Sequence, residues 1–159
     1  MKTKVLLIIL SVTTALQTCG EEPKGFVPVM PDQKIRTFAH DFDTVWGGIL
    51  TILETRDIDI DVINKEQGLI ITDFIPIHTD SELGKSVIFP EKGEKIIHLA
   101  KYDMTIVVTV SGDSGTSVEV NVHLSKYSRS LMTYYSWKDQ LSNGFIEQQL
   151  FDELERMLK

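Results

Sequence analysis

Three aspartates at alternate positions are the first residues whose types and spacing could bind a metal ion. Asp57, Asp59 and Asp61 have the spacing that opens an EF-hand calcium loop. That loop also requires a glycine where this chain has Val62 and a glutamate where it has Gly68. Because isoleucines separate the acids, the segment is predicted to be a half-buried strand with its carboxylates on the solvated side. We therefore expect no metal site here.

The other chemistry-bearing residues show no spacing typical of an active site. The four histidines form no H-x-x-x-H pair, and a chain with one cysteine contains no C-x-x-C motif. His123 is expected on the solvated side of a strand, together with Glu119 and Asn121. No serine lies in a G-x-S-x-G turn, and the chain has no P-loop and no G-x-G-x-x-G motif. We therefore predict that the protein is not an enzyme and requires no cofactor.

The single cysteine, Cys19, directly follows an apolar segment. A basic start at residues 1–4 (MKTK) precedes the uncharged run 5–16 (VLLIILSVTTAL). At 1.5 Å per residue this run spans roughly 18 Å, too short for a hydrocarbon core of roughly 30 Å, so it is predicted to be a signal peptide. An exported chain with one cysteine cannot form an internal disulfide. Residues 16–20 (LQTCG) resemble the lipobox of bacterial lipoprotein precursors.

The lipobox resemblance implies how the protein is attached and where. Residues 1–18 would be removed, and Cys19 would carry acyl chains such as palmitate. Several acyl chains on one residue give a stable membrane anchor. The residue after the cysteine is Gly20 rather than the aspartate that often retains lipoproteins in the inner membrane. The resemblance therefore implies an outer-membrane lipoprotein of the bacterial cell envelope, facing the periplasm.

The remaining chain has the size of one ordinary domain with a tether. Removing residues 1–18 from the 159-residue chain leaves 141 residues and takes away two lysines and no acid, so the formal net charge changes from −7 to −9. Such an acidic chain argues against nucleic acid as a partner and against electrostatic attachment to anionic lipid. Residues 19–33 contain three prolines and two glycines and are predicted to be a flexible tether. Residues 34–159 form the predicted domain.

Two segments of this domain have the periodicity of amphipathic helices. The first follows Asp41, a good N-cap, and runs to about residue 56. Gly47 and Gly48 in its middle lower helix stability. Close packing of the helix on the sheet is the favoured explanation, and a ligand near the backbone is the other. The second helix closes the chain after a cap at Ser142 or Asn143. Glu147 is expected on its outward side.

The other segments alternate apolar and polar residues as antiparallel strands do. Together with the helices they give the order β-α-β-β-β-β-α. This order predicts an α+β fold in which an antiparallel sheet is covered by a long C-terminal helix. The strands are predicted at 34–39, 57–62, 69–75, 96–110 and 116–124, with a short extra strand at 87–89 and either a last strand or an aromatic loop at 131–137.

An aromatic cluster near the C-terminus is the remaining candidate site. Tyrosine and tryptophan combine a large apolar area with a polar tip, and they are enriched in protein interfaces. Ordinary packing in the core or on a strand is the alternative. The candidate partner-binding residues are Tyr127, Tyr134, Tyr135 and Trp137, with Phe145 beside them and Lys126, Arg129 and Lys138 adding positive charge.

Most of residues 34–159 resemble the repeat unit of the NlpB/BamC-type lipoproteins. In that unit a Phe-Asp-x-Val-Trp helix precedes a strand, a turn of the form Asp/Asn-Lys-x-x-Gly-x-Ile-x-Thr and another strand. The matching segments are 41–53 (DFDTVWGGILTIL), 60–74 (IDVINKEQGLIITDF) and 143–147 (NGFIE). The resemblance implies a helix-grip fold and non-enzymatic service in envelope assembly or scaffolding. BamC carries two such domains, whereas this chain has room for one, so the outer-membrane β-barrel assembly machine does not follow directly as its partner.

Two functional hypotheses follow. The first is a lipid-anchored interaction or scaffold module that docks on an envelope protein, with a role in outer-membrane protein assembly as one form of it. The alternative is a binding module that holds a small apolar ligand between the sheet and the C-terminal helix. An unrecognised hydrolase is a minor third reading.

Overall fold

The structure, a computed structural model, describes residues 34–90, 94–112, 115–130 and 134–159, without the side chains of 94–96 and 130. The predicted signal peptide, Cys19 and the predicted tether lie outside the described residues. In chain order the elements are β1 (Ile35–Phe38), α1 (Phe42–Thr55), β2 (Ile60–Asn64), β3 (Leu69–Thr72), β4 (Ile75–Ile77), α2 (Glu82–Val87), β5 (Glu94–Ser111), β6 (Gly115–Ser130), β7 (Ser136–Leu141) and α3 (Phe145–Met157).

A long antiparallel hairpin of β5 and β6 forms the centre of the sheet. On each side of this hairpin, two short strands pair with different parts of the same long strand. The hairpin-turn half of β6 pairs with β1 and its open half with β7, while β5 pairs with β3 and then with β4. The edge strand β2 pairs with β3, and all these pairings are antiparallel. The order β1-β6-β5-β3-β2 therefore leaves β7 and β4 flanking the open half.

The helices α1 and α3 cover one face of this sheet, which we call the inner face. It receives the even-numbered side chains of β6 and of β5 from Leu99 onward, such as Met104, Ile106 and Val120, which are at most 1% exposed. The odd-numbered side chains of the same stretches point to the opposite side, which we call the outer face. This alternation follows from the two-residue period of a strand, and each large apolar side chain buried on the inner face contributes about 1.5–3 kcal/mol.

The two helices also pack closely against each other. Gly48 lies on the buried side of α1, and a Cβ atom added there would lie 2.8 Å from Cδ1 of Leu154 in α3. A Cβ at Gly47 would meet nothing within 4 Å. The glycine pair was expected to allow close packing of the helix on the sheet. Instead, Gly48 allows close packing of α1 on α3.

The predicted fold class is confirmed at the level of a large antiparallel sheet with a C-terminal helix, but the element order is not. The predicted strand at 87–89 is wrong, because Val87 is the last residue of a helix. The Ser81 hydroxyl caps α2 by accepting from the Gly84 N–H at 3.0 Å, and the Ile88 N–H donates to the Gly84 carbonyl at 2.9 Å. The short polar run before Val87 thus supplies a helix start in a segment for which no helix was predicted.

The second strand begins later than its alternating pattern predicts. Asp57 has a φ of 55°, and the Ile58 N–H donates to the Leu53 carbonyl, so these residues still close α1. Strand β2 starts at Ile60, and its register with β3 shifts before Val62. The three aspartates therefore do not lie on one regular strand, because Asp57 lies at the end of α1 and the register shift falls at Asp61. All three are exposed, as expected.

The predicted strand 69–75 is divided in two. Strand β3 ends at Thr72, and β4 begins at Ile75, with Asp73 and Phe74 between them. Pro76 lies inside β4, a short strand that pairs with β5 and with no other strand of the described residues. Proline is tolerated on such a strand because it lacks only the N–H that would point away from the partner.

The last strand also differs from its prediction. Strand β7 starts at Ser136, so it includes only the last two residues of the predicted segment 131–137. Residues 131–133 lie outside the described residues. Gly144, with a φ of 84°, occupies the N-cap position of α3. The N-cap residue is therefore Gly144 and not Ser142 or Asn143 as predicted, but both side chains bind N–H groups at the helix start. The Ser142 hydroxyl accepts from the Gly144 N–H at 3.1 Å, and the Asn143 amide oxygen accepts from the Phe145 N–H at 3.3 Å.

Candidate functional site

The open half of the outer face carries a group of apolar side chains that no described helix covers. Strand pairing brings Leu99 of β5, Tyr127 of β6 and Trp137 of β7 opposite one another in one row. Phe74 precedes β4 at one end of this row, and Tyr135 precedes β7 at the other. We call these five residues the aromatic patch. Leu99, Phe74 and Trp137 are 57%, 51% and 48% exposed.

The rings of the patch stack mainly on one another. Tyr127 lies between two rings, with centroid distances of 5.6 Å to Tyr135 and 5.5 Å to Trp137. Nε2 of His98 lies 3.0 Å from the Tyr135 hydroxyl, which fixes that ring at the open end of the hairpin. Offset and tilted ring pairs of this kind stabilise the patch by about 0.5–1.5 kcal/mol each beyond their buried area.

Two cations lie over the rings of the patch. Nζ of Lys101 is 3.3 Å from the Phe74 ring centroid and 4.9 Å from the Trp137 ring centroid. The guanidinium carbon of Arg129 is 5.7 Å from the Tyr135 ring centroid. Cations favour this position because the face of an aromatic ring is electron-rich. The patch therefore combines exposed apolar edges, phenol hydroxyls and positive charge.

The structure brings together three of the four predicted partner-binding residues. Tyr127, Tyr135 and Trp137 belong to the patch, whereas Tyr134 is 94% exposed beside it. Phe145 was expected in the cluster, but it begins α3 on the other side of the sheet. The sequence did not indicate Phe74 or Leu99, because only the long-range pairing of β4, β5, β6 and β7 places them in the row.

Of the three predicted flanking cations, only Arg129 lies at the patch. Lys126 and Lys138 pair with each other across β6 and β7, one residue out of phase with Tyr127 and Trp137, so their side chains lie on the inner side. Lys126 is fully buried, and its ammonium donates to the Phe89 carbonyl at 2.8 Å. The prediction is wrong for both lysines because adjacent residues in a strand point to opposite faces.

The loop after α2 is held to the inner side of β7 by polar side chains. The Gln140 amide accepts from the Phe89 N–H at 3.2 Å and donates to the Val87 carbonyl at 2.6 Å. The Asn143 amide donates to the Ser86 carbonyl at 2.8 Å. These bonds satisfy backbone groups that a helix end leaves unpaired, so they fix α2 against the sheet.

His123 lies further along the outer face between two carboxylates. Its Nδ1 is 2.9 Å from Oδ1 of Asp103, and its Nε2 is 3.2 Å from Oδ1 of Asp139. The hydrogen bond to Asp103 is the main reason why the pKa of His123 lies above its ordinary value of 6.5. Since both ring nitrogens are engaged, the imidazole has no free nitrogen to act as a base. The exposed placement expected for His123 is confirmed.

Glu147 is fully buried, although it was expected on the outward side of α3. One of its oxygens accepts a hydrogen bond of 2.7 Å from the Ser142 hydroxyl, and the other, Oε1, has no partner among the described residues. Burial raises the pKa of the Glu147 carboxyl, and hydrogen bonds from its own backbone N–H and from the Ser142 hydroxyl, together with the charge of Lys34, partly oppose this effect. Periodicity misplaces Glu147 because it lies in the first helical turn, where the preceding loop folds over it.

Among the described residues, two cavities are lined by side chains of β6 and β7 and their neighbours. One, of about 280 Å³, lies at the edge of the sheet between Lys34 and Leu141, and the other, of about 380 Å³ and open, lies against Leu99 and Tyr135. Neither lies between α3 and the sheet, where Leu150, Phe151 and Leu154 are at most 1% exposed. They therefore give no support to a ligand held under the C-terminal helix.

The described part of the chain contains no group of three or more metal-binding side chains and no helix that is long and apolar enough to cross a membrane. Comparison of the sequence with protein-family models finds no match, and a search of curated proteins finds none either. The resemblance to the NlpB/BamC-type lipoproteins thus stays a prediction.

Proposed function

We propose that the protein is a lipid-anchored lipoprotein of the bacterial envelope whose domain is a non-enzymatic interaction or scaffold module. The anchor is the lipid on Cys19, and the domain faces the periplasm from the outer membrane. The NlpB/BamC resemblance supports a helix-grip label for the fold and a role in envelope assembly, of which outer-membrane protein assembly is one form.

The observation that carries this proposal is the outer face with its aromatic patch. Half of a sheet whose inner face is packed presents four exposed apolar side chains around the half-buried Tyr127, and three of these five residues are among the predicted partner-binding residues. Soluble proteins rarely expose contiguous apolar area of this kind without a binding role. Along the strands from this row, the polar pairs Lys101–Ser125 and Asp103–His123 lead to Thr105 and Asn121, which pair across β5 and β6 at the middle of the outer face. The surface proposed for docking therefore joins the apolar row to a polar stretch.

In-cell photo-crosslinking tests this proposal. A photoreactive residue at Thr105 or Asn121 reports on the outer face, and one at Gln149, exposed on α3, is the matched control on the opposite side. We expect the two outer-face positions to capture the same envelope protein and Gln149 not to capture it. Equal capture from all three positions, or none above a tag-only control, contradicts docking through the outer face.

A further inference from the structure

The aromatic patch lies at one end of the molecule, at the open half of the β5–β6 hairpin. Tyr135 and the 94% exposed Tyr134 mark the end of the patch, where β7 begins. The hairpin turn after Ser111 lies at the opposite end. Other apolar side chains are exposed elsewhere, among them Val110 near the hairpin turn, but at the patch several rings and two cations lie together.

The orientation of the rings narrows the kind of occupant. The Tyr127 ring has Tyr135 on one side and Trp137 on the other, and Lys101 lies over both Trp137 and Phe74. The patch thus encloses the Tyr127 ring between its neighbours and leaves Trp137 and Phe74 about half exposed. It presents ring edges, phenol hydroxyls and cations, the combination that lies at the interface between lipid headgroups and acyl chains.

Charged side chains of both signs lie on both sides of the molecule. The acids of α3, among them Asp152 and Glu155, lie on the helix side, where they pair with Arg36 of β1. The patch carries Lys101 and Arg129. The nearest acid along β7 is Asp139, whose carboxylate accepts from Ser125 and His123. Lys101 and Arg129 can therefore meet individual lipid phosphates, but Asp73 and Asp103 also lie near the patch, so no net attraction to an anionic surface follows.

The predicted tether allows the patch to reach the membrane that holds the lipid. Lys34, where the described domain begins, lines the same cavity as Leu141 at the end of β7. Trp137 is four residues back along β7, about 13 Å away at the rise of a strand. Residues 20–33 span about 45 Å when extended and about 20 Å on average as a flexible chain. A domain held this close experiences a high effective concentration of bilayer surface, so even a low affinity of the patch for lipid keeps it bound.

From these observations we infer that the aromatic patch rests on the surface of the anchoring bilayer. Trp137, Tyr135 and Phe74 enter the headgroup region, and Lys101 and Arg129 face lipid phosphates. This orients the domain with α3 away from the lipid and leaves the middle of the outer face beside the membrane for a protein partner. The inference deepens the proposed function and rests on it for the anchor.

Tryptophan fluorescence provides the test, because the two tryptophans differ in exposure. Trp46 is 4% exposed in the core, whereas Trp137 is 48% exposed in the patch, so Trp137 reports lipid contact. The lipidated protein is reconstituted in phosphatidylcholine vesicles with about a third phosphatidylglycerol, with and without bromine on the upper acyl chain. We expect strong quenching that is lost in Trp137→Phe. A Val110→Trp reporter in the Trp137→Phe background, at the hairpin-turn end, should be quenched several-fold less. Equal quenching at both reporters, or none at Trp137, overturns the inference.

A second arm separates the patch from the anchor. The chain from Gly20 onward keeps the tether and the domain but lacks Cys19, and it is added to the same vesicles. We expect weak binding with a blue shift of Trp137 emission, and roughly tenfold weaker binding for Trp137→Ser, with Gln149→Ser as the matched control. No binding, or equal binding of the Trp137→Ser variant, contradicts bilayer contact whatever the state of Cys19. Failure of the lipidated protein to float with vesicles, while the patch still binds, contradicts the anchor alone.

Discussion

The glycine pair in α1 provides a prediction with an internal control. Gly47 and Gly48 are adjacent in one helix, so alanine at either position gains the same helix propensity, about 1 kcal/mol. Gly47 is exposed, and a Cβ there meets nothing within 4 Å. Gly47→Ala should therefore raise the free energy of unfolding by about 1 kcal/mol.

At Gly48 the same gain is opposed by a close contact with α3. The added Cβ would lie 2.8 Å from Cδ1 of Leu154, whereas carbon atoms pack at about 3.5–4.0 Å. Leu154 is fully buried, so it cannot simply turn away into solvent. Overfilling of a packed core typically costs about 1–3 kcal/mol. Gly48→Ala should therefore lie between neutral and about 2 kcal/mol destabilising, and about 1–3 kcal/mol below Gly47→Ala.

Urea unfolding of the two variants and the wild type measures this difference. Similar m-values are required, so that the midpoints report stability rather than a change in the denatured state. If Gly48→Ala is as stabilising as Gly47→Ala, α1 and α3 do not pack through Gly48, and the reasoning about the helix layer is refuted.

Three further predictions concern polar groups. Because burial raises the pKa of Glu147, the folded protein keeps a proton on this carboxyl that the unfolded chain releases near pH 4.5. The free energy of unfolding should therefore fall as the pH rises above 4.5 and then level off. Unfolding measured over a pH series should show no such fall in Glu147→Gln. The raised pKa of His123 contributes stability that is complete below about pH 6.5 and is lost as pH rises through the folded value, and Asp103→Asn should reduce this dependence, measured by the same unfolding series. Gln140→Ala removes two hydrogen bonds to the loop after α2, so unfolding should cost about 1–3 kcal/mol less and amide exchange in α2 should quicken.

The outcomes that contradict these predictions are distinct. A Glu147→Gln variant with the wild-type pH profile would show that the carboxyl is not shielded as described. For the histidine, an Asp103→Asn profile identical to that of the wild type assigns the pH dependence to another group. Unchanged exchange in α2 after Gln140→Ala means that Asn143 and Lys126 suffice to hold the loop.

Local patterns in the sequence predicted the parts of the fold that depend on local physics. The period of α1, its Asp41 cap and the alternation of β5 and β6 all appear in the structure, because each follows from burial of one face or one strand side. Helix α2 was missed because its six residues are too few to show a helical period. The divided strand at Asp73 was missed because the division depends on pairing with β5, distant in sequence.

The candidate site was predictable only in part for the same reason. Tyr127, Tyr135 and Trp137 are near in sequence, and their amphipathic rings suggested a surface patch. Phe74 and Lys101 join them through strand pairing across the sheet, which no local pattern encodes. The side of the sheet on which Lys126 lies depends on β6 continuing to Ser130. The strand was predicted to end at residue 124, so the sequence did not indicate which way Lys126 points.

The central claim is that Cys19 anchors the protein to a membrane, and cell fractionation tests it most directly. The wild type is compared with Cys19→Ala exported behind a signal peptide that is fully removed, so that no apolar leader remains. The wild type should label with palmitate and stay with the membranes, whereas Cys19→Ala should lose the label and most of its membrane association, since several acyl chains bind far more strongly than a surface patch. An unlabelled wild type, or a Cys19→Ala variant that remains fully with the membranes, would contradict the account.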